Sequence, residues 1–376
     1  MIKFAVSRPP VRREGIKKGL ELLNWANDPM LNGYGLKIDP EMLKTNARIL
    51  EPPEVQFAKG GTAKPLFSGR WDLRGKVFFK PNTTPLKSWG ICILVQGKDL
   101  RPPVSMDQVE QFKKNFMNLY RGHGGDIKNT EPPIIHGVPD TADAIQKTFQ
   151  AAGNQVQLRP QILIIILPNR NNEVYLRVKR NCDCRFGVMS QCVQATSVMK
   201  NAPQYCSNVL MKFNCKLGGT TSALKTVSPI LSFPFLPITY LSCLQKSQFF
   251  TESTMIVGAD VSHPGPALMQ ASMAAMTMSL DKTCSRYAAA IESNGERLEM
   301  ITPDNVNAMF RPLADWWMKN VGEGYLPKHL YYFRDGVSEG QYAQLLRQEV
   351  ADIRKVLYDL GQGHPGNAVR YAPLTR

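Results

Sequence analysis

Ile256-Val257-Gly258-Ala259-Asp260-Val261-Ser262-His263-Pro264 sets an acidic residue at the end of an apolar run. Tyr331-Tyr332-Phe333-Arg334-Asp335-Gly336-Val337-Ser338-Glu339-Gly340-Gln341 repeats the arrangement later in the chain. Composition and alternation predict strands over 255–261 and 330–334, with further β-runs at 271–279 and 286–292 that follow the first without an intervening helix. Helical periodicity occupies 306–321, and a second helix is expected over 339–359. Three strands, a helix, a strand and a helix describe an α/β domain. An aspartate at a strand end is most often a turn or helix cap, so position alone favours capping for Asp260 and Asp335.

Upstream the texture is also α/β. From residue 88, short β-runs at 89–95, 161–167 and 186–193 alternate with helical stretches at 109–120, 142–152, 173–179 and 204–216. That alternation predicts a doubly wound domain over 88–225. Residues 1–87 read as a linker region: a helix over 14–27, then proline-containing extended pieces at 49–53 and 69–79 with little core of their own. Residues 226–253 fit neither block. Their apolar run is broken by Pro229, Pro234 and Pro237 and is too short to span a membrane, so no membrane association is expected. Beyond 360 the composition is that of a loop.

With 376 residues, 43% of them apolar, the chain has enough material for two cores. Lysine and arginine number 46 against 31 aspartates and glutamates, which makes a polyanionic partner plausible without choosing one. The eight cysteines include no C-x-x-C pair, so a zinc site is not expected. The opening Met1-Ile2-Lys3 runs at once into charged residues, unlike a secretory signal, and reduced thiols of the cytosol are the natural reading.

Two lysine-bearing helices suggest an anion site. Tyr175 and Lys179 stand four residues apart on one predicted helix, Lys212 and Lys216 on another, so each pair projects from one face. With Gln191 on the strand between, they offer ammonium groups, an amide and a phenol to one small anion. Lysine, a compact charge, suits a terminal phosphate, and tyrosine offers a plane for base stacking. Taken singly, such lysines are usually solvated and such a tyrosine usually packs.

The wording of these segments is more specific than their spacing. Tyr175-Leu176-Arg177-Val178-Lys179-Arg180, Ser190-Gln191-Cys192-Val193-Gln194 and Asn214-Cys215-Lys216-Leu217-Gly218-Gly219 together resemble the MID domain of eukaryotic Argonautes. That resemblance implies that Tyr175 stacks on the first base of a small guide RNA, while Lys179, Gln191, Lys212 and Lys216 bind its 5′ phosphate. It places residues 168–172 at the first-nucleotide loop. Cys192 adjoins the pocket and reads as a buried strand residue. The Asp260 and Asp335 segments resemble the family's PIWI domain, whose RNase H-like order matches the strand pattern above; residues 254–376 are expected to be an incomplete copy. By this resemblance Asp260 and Asp335 are catalytic and metal-binding. Counting from Arg286-Tyr287 makes Glu299 the third catalytic acid, with Glu296 as its competitor. Such carboxylates hold Mg2+ in nucleases of this class. Ala47 to Pro53 and Gly69 to Arg74 are similar to the family's second linker.

The likeness stops at 226–247, which reads as a translated intron or a lineage-specific insertion, and from 361 onward, where the family's last metal-ligand region is expected and not found. His364 stands in the wrong context to replace it. Upstream N-terminal and PAZ domains are also missing. The resemblance therefore implies RNA-mediated silencing through a 5′-phosphorylated guide RNA and a target RNA, in the cytoplasm and in principle the nucleus, with tryptophan-rich silencing proteins as candidate partners. Three readings stay open: guide binding without cutting, magnesium-dependent RNA-guided endoribonuclease, and a fragment that keeps the motifs without working.

Overall fold

The computed structural model describes residues 7–39, 41–49, 52–95, 101–225, 252–265, 269–364 and 366–367. The proline-broken apolar stretch 226–251 and residues 368–376 lie outside the described residues. The chain divides into two units, Met1–Glu51 and Pro52–Arg376.

The first unit holds helix α1 (Pro9–Leu23), a 3-10 turn (Trp25–Asn27) and helix α2 (Pro29–Gly33). The helix expected at 14–27 starts earlier, because Pro9 suits the first turn, where its missing N–H is not needed. It ends at Leu23, where Asn24 turns left-handed. Asp28 caps α2 by accepting from Met30 N at 2.8 Å. Neither helix buries a residue.

In the second unit a parallel sheet comes first. Its strands are β3 (Trp89–Ile93), β4 (Ile134–Ile135), β5 (Ile162–Leu167) and β6 (Met189–Gln194), in the order β4-β3-β5-β6. Every residue of β5 is buried, as its unbroken Ile-Leu-Ile-Ile-Ile-Leu run demands of a central parallel strand. Helices α3 (Met106–Gly122) and α7 (Pro203–Lys216) cover one face through Phe112, Phe116, Tyr120 and Phe213. Helix α4 (Thr141–Val156) covers the other. The α3 start is fixed by a capping box between Ser105 and Gln108. Helix α5 (Asn172–Lys179) runs directly into a π-helical segment, Arg180–Phe186, so β6 begins at Met189 rather than at 186 as the sequence suggested. A short helix α6 (Ala195–Lys200) follows.

Residues 52–87 depart from the linker expectation of little core. Phe78 and Leu86 lie in the same buried cluster as Trp89. Val55, Phe57 and Leu73 form a small cluster of their own. Strand β1 (Val55–Gln56) pairs with β2 (Thr62–Ala63) and with β7 (Ala223–Leu224), at the end of the first α/β block.

The second sheet has the order β10-β9-β8-β11, built from β8 (Thr254–Ser262), β9 (Met273–Ser279), β10 (Tyr287–Ser293) and β11 (His329–Arg334). The first three form an antiparallel meander, and β11 joins β8 in parallel. One face packs on helices α8 (Pro303–Asn320) and α10 (Glu349–Gly361) through Met255, Val257, Phe310, Trp317, Val356 and Leu357. The single helix expected at 339–359 is three pieces: a 3-10 turn (Glu339–Gln341), α9 (Tyr342–Arg347) and α10, broken at Gln348, whose ψ of −88° is not helical.

Candidate nucleic-acid interface

The lysine-bearing helices do converge. Asn171 caps α5, accepting from Glu173 N at 2.8 Å, and α5 then presents Tyr175 and Lys179 one turn apart. Lys179 Nζ donates to Ser190 Oγ at 2.9 Å. From α7, Lys216 Nζ donates to the Ser190 carbonyl at 2.6 Å and to Gln191 Oε1 at 2.9 Å. Lys179, Gln191 and Lys216 thus meet around the first residues of β6, where Gln191 is only 7% exposed. Lys212 stands one turn before Lys216 on α7 and is exposed. Tyr175 is 42% exposed, its ring left open to solvent.

Electrostatics set this cluster apart from a solvated basic face. Burial, and then the adjacent Lys179 charge, push the Lys216 ammonium down to about 8, and Lys212 adds to the push. The nearest carboxylate, Asp183, stays 3.9 Å from Lys179 Nζ. The site is a concentration of half-buried positive charge with donors left over, which can accept an anion carrying several oxygens. Cys192 beside it lies on β6 as expected but is only partly buried rather than buried, and that burial raises its thiol pKa.

The acidic residues gather on the open face of the second sheet. Asp260 near the end of β8 and Asp335 just after β11 are brought together by the parallel pairing of Arg334 with Ala259, and Asp335 N donates to Ala259 O at 3.1 Å. Both line an open depression of about 430 Å³ with Gly258, Thr277 and Phe333. Of the two candidate glutamates, Glu299 is at this site and Glu296 stays exposed on the loop. A Cβ at Gly336, whose φ is +81°, would sit 3.1 Å from Glu299 Oε1 and 3.7 Å from Asp260 Oδ1.

Glu299 is held by residues to which the sequence had assigned no role. His263 Nε2 lies 2.8 Å from Glu299 Oε2, and His263 Nδ1 lies 2.7 Å from Ser272 Oγ. Arg334 approaches Glu299 Oε1 at 3.0 Å, but the alignment is not that of a hydrogen bond, so this buried oxygen has charge compensation and no donor. Arg334 is itself fixed by Glu349 from α10, at 3.0 Å between Nε and Oε2, with side chains 2% and 0% exposed. Glu349 also accepts from Ile301 N and from Tyr332 Oη, each at 2.7 Å. The only hint of this in the sequence was that His263 and Arg334 fall inside the two quoted segments.

The carboxylate oxygens are of the kind magnesium prefers. Among the described residues, however, no three His, Cys, Asp or Glu side chains are close enough together to hold an ion. Glu299 faces His263 and Arg334 instead of completing a set with the aspartates. The residues present do not fit a bound magnesium ion as they stand. His364 lies beside Tyr325, at 5.4 Å between ring centroids, and takes no part in the acidic site.

Among the described residues no helix is long and apolar enough to cross a membrane. Comparison with known proteins finds three family models in chain order: the Argonaute linker 2 domain over residues 11–57, the Mid domain of argonaute over 67–155 and the Piwi domain over 162–372. The chain is 30% identical over 366 residues to the protein argonaute of Schizosaccharomyces pombe, covering 96% of this chain and 40% of that protein. It therefore spans well under half the length of that relative. Among solved structures it is similar to Kluyveromyces polysporus Argonaute with a guide RNA, at 25% identity and a TM-score of 0.67, covering 85% of this chain and 35% of that one. Drosophila Piwi shares the fold, with a TM-score of 0.70 at 17% identity over 96% of this chain and 45% of that chain. The Piwi match alone covers more than half of the chain, and with the linker and Mid matches in order before it, this chain belongs to the Argonaute family.

Proposed function

We propose that this chain anchors a small guide RNA by its 5′ phosphate, as part of RNA-mediated silencing of a target RNA. The reading rests chiefly on Lys216, a half-buried cation held between Ser190 and Gln191 with Lys179 beside it. Burying like charges together is costly unless an anion compensates them, and a terminal phosphate matches the donors by charge and size. Lys179, Gln191, Lys212 and Lys216 take the phosphate oxygens, and Tyr175, exposed one turn from Lys179, stacks on the first base. The K. polysporus relative carries a guide RNA, which agrees with this assignment.

The test is equilibrium binding of one short single-stranded RNA with either a 5′ phosphate or a 5′ hydroxyl, at fixed salt. A preference for the phosphate that disappears in Lys179→Ala/Lys216→Ala supports the pocket. Equal binding of both RNAs by the unaltered chain refutes it.

The acidic cluster favours a second reading, RNA-guided cleavage by Asp260, Glu299 and Asp335. The hold of His263 and Arg334 on Glu299 supports guide binding without cutting over this second reading. With guide, target and magnesium the chain is expected to make no guide-positioned cut. A single cut abolished by Asp260→Ala would reverse that expectation.

A further inference from the structure

A second basic site lies on the far side of α5 from the guide-end cluster. Arg177 is two residues from both Tyr175 and Lys179, about 200° around the helix from the former, so it points away from the phosphate pocket. The π-helical segment Arg180–Phe186 then does what an α-helix would not: its i to i+5 repeat brings Arg180 and Arg185 onto one face. Together with Asn181 and Cys184, the three arginines line an open depression of about 520 Å³. Two of them are pre-set. Arg177 pairs with Glu173 at 2.9 Å, while Arg185 donates to Gln146 Oε1 at 2.9 Å and lies 5.0 Å over the Phe186 ring. Arg180 has no partner among the described residues.

We propose that Arg177, Arg180 and Arg185 form a second anion site, which takes a phosphorylated side chain of a protein partner. Guanidinium forks bind a phosphate two-pronged, and a cluster of them in one hollow suits a single dianion. A nucleic-acid strand would need a continuous cationic track. Here the hollow is interrupted by the exposed carboxylate of Glu173, paired with Arg177 and 72% exposed, which breaks any such track for a passing phosphodiester backbone. The proposal does not depend on the guide-end reading, since none of its residues belongs to that pocket.

Cys184 provides the reporter, because it is an exposed thiol in the lining of the hollow. The full chain is treated with iodoacetamide alongside a short phosphoserine peptide, its unphosphorylated counterpart or a 5′-hydroxyl RNA, and alkylation of Cys184 is followed by mass spectrometry. The phosphopeptide should slow that alkylation about threefold at twice its Kd, the protection that simple occupancy gives. The unphosphorylated peptide should give none. Protection should vanish in Arg180→Gln/Arg185→Gln, two surface changes that spare the core, and persist in Lys179→Ala/Lys216→Ala. The site is overturned by unchanged alkylation up to about 1 mM phosphopeptide, by protection lost in the lysine variant instead, or by RNA protecting better than the phosphopeptide.

Discussion

The Lys216 ammonium lies 2.9 Å from Gln191 Oε1, a pairing of a helix C-terminus with a neighbouring strand that presets both groups before any ligand arrives. The cation is held where it is least well solvated. Its charge is therefore lost at a lower pH than an ordinary lysine's.

Affinity for a 5′-phosphorylated RNA should consequently fall as pH rises through about 8, by up to about tenfold per unit, while a 5′-hydroxyl RNA shows a weaker trend. Stability should move the other way. A lysine whose folded pKa lies below its unfolded value binds fewer protons folded than unfolded between the two, so the free chain gains stability from about pH 8 towards the ordinary lysine range. Binding titrations and urea unfolding across that window check the pair of trends; parallel trends would remove Lys216 from the account.

Glu349→Gln should destabilise the chain by up to about 3–5 kcal/mol, the usual cost of breaking a buried ion pair, reduced here because Glu299 still faces Arg334 at 3.0 Å. The double change Arg334→Met/Glu349→Leu removes both charges and should cost less than Glu349→Gln alone. Urea unfolding of the two variants measures the difference.

Gly336→Ala and Gly295→Ala share a left-handed backbone, with φ of +81° and +75°, and should each cost about 1–3 kcal/mol for that alone. They differ in surroundings. At 336 the added Cβ meets Glu299 Oε1 at 3.1 Å, whereas at 295 its nearest neighbour is 4.0 Å away. Gly336→Ala should therefore be the more damaging by about 1 kcal/mol, read from the two unfolding midpoints.

Gly219→Ala tests the packing at the end of the first α/β block. Its Cβ would fall 2.4 Å from Asn214 Nδ2, and Asn214 is fully buried, accepting from Tyr120 Oη at 3.2 Å and donating to Lys80 O at 3.1 Å. Overpacking there should cost about 1–3 kcal/mol by thermal or urea unfolding. A neutral result would mean that Asn214 can swing aside.

Much of the fold was legible because it is local. The apolar run of β5 and the three consecutive strands of the second sheet announce themselves by composition and period. The two lysine pairs were legible for the same reason, since four-residue spacing fixes a face. The π-helical segment was not, because a seven-residue stretch with i→i+5 bonding is too short to show a period. Nor was the break at Gln348, where nothing in the sequence interrupts the helical pattern. The grip of His263, Arg334 and Glu349 on the Glu299 loop joins residues far apart in sequence, so it depends on strand pairing that spacing cannot supply.

The pairing of β1 with β7 carries a consequence for synthesis on the ribosome. Lys225 N donates to Glu54 O at 2.9 Å, and its ammonium reaches Glu54 at 3.1 Å across a sequence separation of 171. Val55, Phe57 and Leu73 therefore emerge long before the strand that helps cover them, and the entropy of closing so long a loop is met only once the first α/β block is out. At a typical elongation rate of about 5–20 residues per second, that apolar trio waits on the order of ten seconds or more for its partner, a window in which a nascent-chain chaperone has something to hold.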